Sequence, residues 1–320
     1  MHRKYIKKIA FYTWFLTQEK RYLNDIKHQK RLTILNLHKI SPVRNDYYPS
    51  LAPELFEALL KYITEHFKII TFNEIKKEQK STKPLMILSF DDGYYDFLEY
   101  AMPLLKKYNV KANLNIVPEC VESGLPMWNI RLYDFLNSAS IDVINEMKLT
   151  GFDHRLMKND QNGKLAFGLA LSRFLKNRPK VERDELLQKI FEKIDNDESI
   201  EYTRMLNKEE IIKIAKIHEI GVHSYSHESM GFESKEYFEQ DFQRCKNYFE
   251  NELKLPLTIY AFPNGSYKNY QIDFLINQGI EHVLLVENRY ADCQSHSKTR
   301  FTFFADSISE VKMRALGFYR

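Results

Sequence analysis

Two adjacent carboxylates, Asp91 and Asp92, close the apolar run LMILSF and are followed at once by Gly93. Each raises the cost of ionising the other, so at a buried site the pair calls for a cation, or for the ligands of one, close by. A second chemically capable pair, His223 and His227, ends another short segment, EIGVHSYSH, four residues apart. If the chain turns helically there, both imidazoles face one side. Two histidines and a carboxylate are a familiar ligand set for Zn²⁺ or a similar divalent ion, with coordination positions left for water and substrate. Either pair alone is a weak signal, since turns are rich in Asp and Gly. Placed together on sister strands they would form one site. Ser224 sits in no GxSxG elbow and is better suited to orienting the His-bearing turn than to nucleophilic attack.

The elements around these residues alternate. RLTILNLHKI, LMILSF, KANLNIVP, EIGVHS, LTIYAF and EHVLLV read as short strands, most of them apolar throughout, as expected of strands covered on both faces. KIITFNEI also reads as extended. Between them lie amphipathic helices such as SLAPELFEALLKYITEHF, with Leu51, Leu55, Leu59 and Ile63 at helical spacing. About seven βα units in one chain predict a barrel-like α/β domain, whose chemistry belongs at the C-terminal ends of the strands. The alternation pauses from about 126 to 207, where a charged, helical insertion is expected. Gly93 would break the strand before it, so that Asp91 and Asp92 need not point to opposite faces.

The 320 residues are 44% hydrophobic and 28% charged, with ten Gly and ten Pro, which excludes a fibrous or disordered chain. A net charge of +4 is too dilute to suggest nucleic acid as partner. Cys120, Cys245 and Cys293 form no CxxC pattern and read as free thiols of a reducing compartment. The basic, aromatic start MHRKYIKKIAFYTWFL has no small-residue cleavage site. Residues 1–30 are therefore expected to form an amphipathic helix, packed on its own domain or resting on an anionic membrane surface with Trp14 and Phe15 dipping inward. A cytoplasmic protein, peripheral at the inner membrane face, is the matching expectation.

SFDDGYYD, HSYSH and AFPNGSY resemble, in order and rough spacing, the first three motifs of the polysaccharide deacetylases of carbohydrate esterase family 4, the NodB-homology proteins. LNLHKI and the approach MLNKEEIIKIAKIHEIGVHSYSH resemble the branch of that family with an early Leu-x-x-His strand. The likeness runs from about Arg31 to Arg320, with the 126–207 stretch matched only loosely. It implies a distorted (β/α) barrel holding one divalent metal, usually zinc, on Asp92, His223 and His227, with Asp91 as general base. It further implies an oxyanion donor in the motif-three loop, here Asn264, and removal of an acetyl group from an N-acetylated sugar, in a glycan or a precursor that could be lipid-linked.

Two departures stand out. Motif three lacks the Arg that often holds the catalytic Asp, for which Arg300 in TRFTF is the candidate substitute. The late Leu-x-His that supplies a general acid is also missing, although His282 and His296 lie in that region. His38, ending the first barrel strand, is the candidate acid. Tyr94 and Trp128 are candidate stacking surfaces for a sugar ring. The same metal site could serve an amidohydrolase acting on a non-sugar C–N bond, and a catalytically silent glycan-binding chain could retain the fold.

Overall fold

A computed structural model describes residues 13, 17–28, 31–43, 45–145, 151–152, 160–194 and 200–318. Trp14 and Phe15 lie outside the described residues; residues 17–28 form helix α1. No described helix is long and apolar enough to cross a membrane.

Among the described residues eight strands, all parallel, build the sheet: β1 Leu32–Leu37, β2 Lys68–Ile69, β3 Leu85–Phe90, β4 Asn113–Ile116, β5 Glu219–Val222, β6 Ile259–Ala261, β7 His282–Val286 and β8 Ser297–Thr302. β1 pairs with β8 on one side and, over six residues from Leu32↔Leu85 to Leu37↔Phe90, with β3 on the other. Seven strands therefore close a barrel with helices around it, and β2 is a two-residue strand beside the foot of β3. KIITFNEI is extended in its first half, where Lys68–Ile69 form β2 and Thr71 is still extended, but not beyond. Thr71 and Glu74 form a capping box that turns Phe72–Glu74 into a helical turn and leads into the short helix α3, Ile75–Glu78.

Parity along the strands decides what fills the barrel, because alternate side chains point to opposite faces. Leu35, Leu37, Met86, Leu88 and Phe90 belong to the large core shared with helices such as α2 (Pro53–His66) and α13 (Ile308–Ala315). Their alternates Leu32, Ile34, Leu85 and Ile87 join Ile259, Ala261 and Leu284 in a separate apolar cluster at the foot of the barrel. One step nearer the mouth the same inward positions become polar: Asn36, Ser89, Asp91, Asn113 and Asn115, all buried. A Cβ at Gly221 on β5 would run into Asn115 Oδ1, so close packing of this polar layer depends on that glycine.

The stretch between β4 and β5 is helical, with α5 Pro118–Ser123, α6 Trp128–Ser138, α7 Ile141–Asn145, α8 Gln161–Lys176 and α9 Lys180–Ile194. Its own apolar cluster includes Leu132, Leu136, Phe167, Leu171 and Leu187 and also takes in Tyr47 and Tyr94. A buried ion pair joins it to the barrel: Arg183 of α9 donates to both oxygens of Glu228, next in sequence to His227. Cys120, Cys245 and Cys293 form no disulfide among the described residues.

His218, just before β5, gives the fold an acid-side weakness. It is buried, its Nδ1 accepts the Ala112 N–H at 3.1 Å, and burial, aided by Lys111, pushes its pKa down from 6.5 to about 4. The unfolded chain takes up this proton first, so the contribution of neutral His218 is complete above about pH 6.5 and is lost as pH falls towards 4. The loss is up to about 3 kcal/mol. Thermal melts across this range should show wild type losing more stability than His218→Asn, which takes up no proton; parallel curves would dismiss the assignment.

Candidate active site

The C-terminal ends of the strands surround a cleft of about 350 Å³ lined by Asp91, Asp92, His223, His227, His38 and Asn264, among others. Asp91 continues the inward parity of β3. Asp92, with φ 80°, and Gly93, with φ 76°, occupy the left-handed region and turn the second carboxylate towards the same cleft. Such backbone strain in a non-glycine residue costs of order 1–3 kcal/mol and persists where surrounding contacts hold it.

His223 follows β5 directly. Its Nδ1 hydrogen bonds the Ala261 carbonyl at 2.9 Å, which leaves Nε2 as the ligand atom. His227 reaches the same point without a helical turn, contrary to the expectation from spacing. Residues 223–227 form an irregular bend in which Ser224 and His227 themselves have positive φ, 55° and 59°. That bend is clamped. Ser224 Oγ accepts the Glu228 N–H, and Asp241 of α11 (Lys235–Tyr248) accepts the Tyr225 N–H at 3.0 Å and the Ser226 hydroxyl at 3.3 Å.

Asp92 Oδ1 lies 3.5 Å from His223 Nε2 and 3.4 Å from His227 Nε2. One donor atom from each of these three buried residues falls within 4.8 Å of the others, a possible metal site. Asp92 Oδ1 and His227 Nδ1 are buried without a hydrogen-bond partner among the described residues, and an acceptor-only oxygen facing two imidazole nitrogens fits a divalent ion. Asp92 Oδ2 accepts the Tyr48 hydroxyl at 3.3 Å. Burial, reinforced by Asp92 and Asp91, raises that phenol well above its ordinary pKa and keeps it protonated.

Asp91 is held differently. Arg300, on β8 and 0% exposed, donates Nη1 to Oδ1 and Nη2 to Oδ2, each at 2.8 Å. Asn115 Nδ2 adds a bond to Oδ1 at 2.7 Å, and Arg300 Nη1 also contacts Ser89 Oγ and Asn36 Oδ1. Burial works against ionisation of Asp91, but Arg300 and then His223 hold it well below the usual carboxylate range. Burial likewise opposes ionisation of Asp92, and His227 and the other imidazoles outweigh it. His223 is pushed down to about 4 by burial and is therefore a neutral ring near pH 7.

The remaining candidates divide. His38 lines the mouth, half-buried, with its ring edge-on to Tyr48 at 5.9 Å. Asn264, at φ 55°, donates to Ser229 Oγ and lines the cleft. Tyr94 is 2% exposed inside the insertion's core, so its ring has no face for a sugar. Trp128 lines a neighbouring cavity under the Arg183 guanidinium instead, because the start of α6 turns the next residue, Asn129, into the cleft. His282, first in β7, and His296 lie at the foot of the barrel, away from the mouth. Asn36, Ser89 and Asn115 were not singled out by sequence. The alternation in KANLNI, Asn-Leu-Asn within a barrel strand, was the available signal that a polar row faces inward.

Residues 190–283 match the polysaccharide deacetylase family model. The match covers under a third of the chain. It carries His223, His227 and Asn264, while Asp91, Asp92 and Arg300 reach the site from outside the matched residues. The polysaccharide deacetylase homologue YxkH of Bacillus subtilis (strain 168) is 30% identical over 103 residues, 30% of this chain. The aligned part spans about a third (36%) of YxkH. Among solved structures, Streptococcus pyogenes deacetylase PplD superposes with a TM-score of 0.59 at 15% identity, covering 89% of this chain and 98% of that one. IcaB from Ammonifex degensii gives 0.55 at 15% identity, covering 89% and 97%. At these identities the likeness establishes the fold, a NodB-like (β/α) barrel.

Proposed function

We propose that the protein is a metal-dependent de-N-acetylase that hydrolyses the acetamide of an N-acetylhexosamine in a glycan or glycan precursor. The observation that carries this reading is the meeting of an Arg-held carboxylate, Asp91, with the three-donor cluster of Asp92, His223 and His227 on the floor of one cleft. Two imidazole nitrogens and one carboxylate oxygen suit zinc, which when bound would supply a Lewis acid for the amide carbonyl and a water acidic enough to ionise near neutrality.

The chain's own groups account for the rest. Asp91 Oδ2 lies 3.9 Å from His223 Nε2, close enough to take a proton from a water beside the cluster. Its two bonds to Arg300 fix the carboxylate's orientation. The Asn264 loop, braced on Ser229, stands where a backbone N–H could meet the developing oxyanion. His38 at the mouth is placed to protonate the leaving amine. The matched deacetylase segment and the acidic pair on a sister strand together favour this chemistry over a silent binding role.

The test is amine release from N-acetylated chitooligosaccharides by the zinc-reconstituted chain. Asp91→Asn should lower it by about 10²–10⁴-fold, the span of general acid–base catalysis, while leaving metal content unchanged. Full activity in that variant would remove Asp91 from the reaction. No amine release by wild type from any acetylated sugar would sink the reading itself.

A further inference from the structure

The helical insertion contributes two side chains to the cleft that no described residue satisfies. Asn129, the second residue of α6, is 3% exposed, and its Oδ1 has no hydrogen-bond partner. Lys176, the last residue of α8, is half-buried in the same cleft and makes no hydrogen bond or ion pair among the described residues. A buried acceptor without a donor and a desolvated ammonium without a counter-charge are both costly.

The neighbouring groups are already committed. Lys39, the other lysine at the mouth, donates to Thr203 Oγ1 at 3.3 Å and lies over the Tyr94 ring. Asp91 is taken by Arg300, and Asp92 by Tyr48 and the two imidazoles. Asp92 attracts Lys176 electrostatically but is not ion-paired with it, and burial pushes the lysine's pKa down. The carbonyl end of α8 favours a cation, yet Arg173 already supplies an exposed one in that turn. The helix end therefore does not explain why Lys176 is turned inward.

We propose that this wall of the cleft is a subsite for an anionic substituent, a phosphate or a carboxylate, carried by the sugar substrate. Lys176 pairs with the anion, and Asn129 Oδ1 accepts a hydroxyl or N–H beside it. A lysine is a point charge that suits either anion without demanding bidentate geometry. The inference rests on the deacetylase reading only for the sugar; capture of the anion follows from the two unsatisfied side chains.

The test is equilibrium calorimetry on the full-length, zinc-reconstituted chain at low salt. Glucosamine, glucosamine 1-phosphate and muramic acid serve as probes, all lacking the acetamide so that no turnover intrudes. The anionic sugars should bind at least about tenfold more tightly than glucosamine, the worth of one charge-assisted hydrogen bond. The tighter of the two identifies phosphate or carboxylate as the source. Lys176→Gln should abolish the advantage and Lys176→Arg keep most of it, with thermal melts and metal content confirming that both variants fold.

Equal affinity for all three sugars, no binding by any, or an advantage that survives Lys176→Gln would each overturn the proposal. Amine release from neutral sugars without an anion advantage would leave the deacetylase reading standing and remove the subsite. An anion advantage lost in Lys176→Gln, in a chain that releases no amine, would do the reverse.

Discussion

Arg300→Met should be among the most damaging single substitutions in the chain. It leaves Asp91, 1% exposed, without the guanidinium that bonds both its oxygens. Breaking a buried ion pair from one side costs about 3–5 kcal/mol, because the remaining charge cannot be rehydrated. For a domain of this size that is a fall in Tm of roughly 10 °C. Burial would then dominate the Asp91 equilibrium and drive the carboxyl towards its neutral form, which cannot accept a proton. Amine release should fall with it, by about 10²-fold or more. Arg300→Lys should rescue little, since an ammonium cannot reproduce the two-pronged contact. The decisive measurement is a double-mutant cycle with Asp91→Asn: the double variant should be more stable than Arg300→Met alone, because no buried charge is left uncompensated. Additive losses would show that Arg300 supports the barrel by packing and not through Asp91.

The second large effect concerns the donor cluster. Purified wild type should hold about one divalent ion per chain, and the His223→Ala, His227→Ala double variant none, by elemental mass spectrometry after zinc reconstitution. Binding to the folded state alone stabilises it by about 2.7 kcal/mol when the free ion stands at 100 times its dissociation constant. Chelation should therefore lower the Tm of wild type and leave the double variant unmoved. This readout is independent of catalysis. Removing the cluster should also abolish amine release. Equal metal content in both proteins would show that Asp92, His223 and His227 do not form the site, whatever their spacing.

The variants probe residues whose visibility in the sequence differed for physical reasons. Asp91, Asp92, His223 and His227 stood out because each pair sits at the end of an apolar strand, where adjacent acids and closely spaced imidazoles are costly without a shared purpose. The closed barrel was legible in the succession of short apolar strands and amphipathic helices, since period-2 and period-3.6 burial patterns are written locally. KIITFNEI was misread in its second half: Lys68–Ile69 do form β2, whereas the Thr71–Glu74 capping box starts a helical turn that the apolar residues do not announce. The His223–His227 bend was misread because i, i+4 spacing suggests a helix. Its real cause is positive φ at Ser224 and His227, held by Asp241 and Glu228.

The sequence by itself determined the alternation that closes the barrel and the identity of the four residues at its mouth that suit metal and proton chemistry. The family resemblance offered Arg300 as the cation for Asp91, but only the tertiary structure brings the two together. Arg300 lies 209 residues from Asp91 and meets it because β8 closes the ring against β1, which in turn pairs with β3. Tertiary packing likewise turned Asn129 into the cleft in place of Trp128, and carried Lys176 there from the end of an inserted helix. Strand parity can be read along a chain one residue at a time, but a contact between distant segments depends on how the ring closes and how the insertion packs, and no local pattern encodes that.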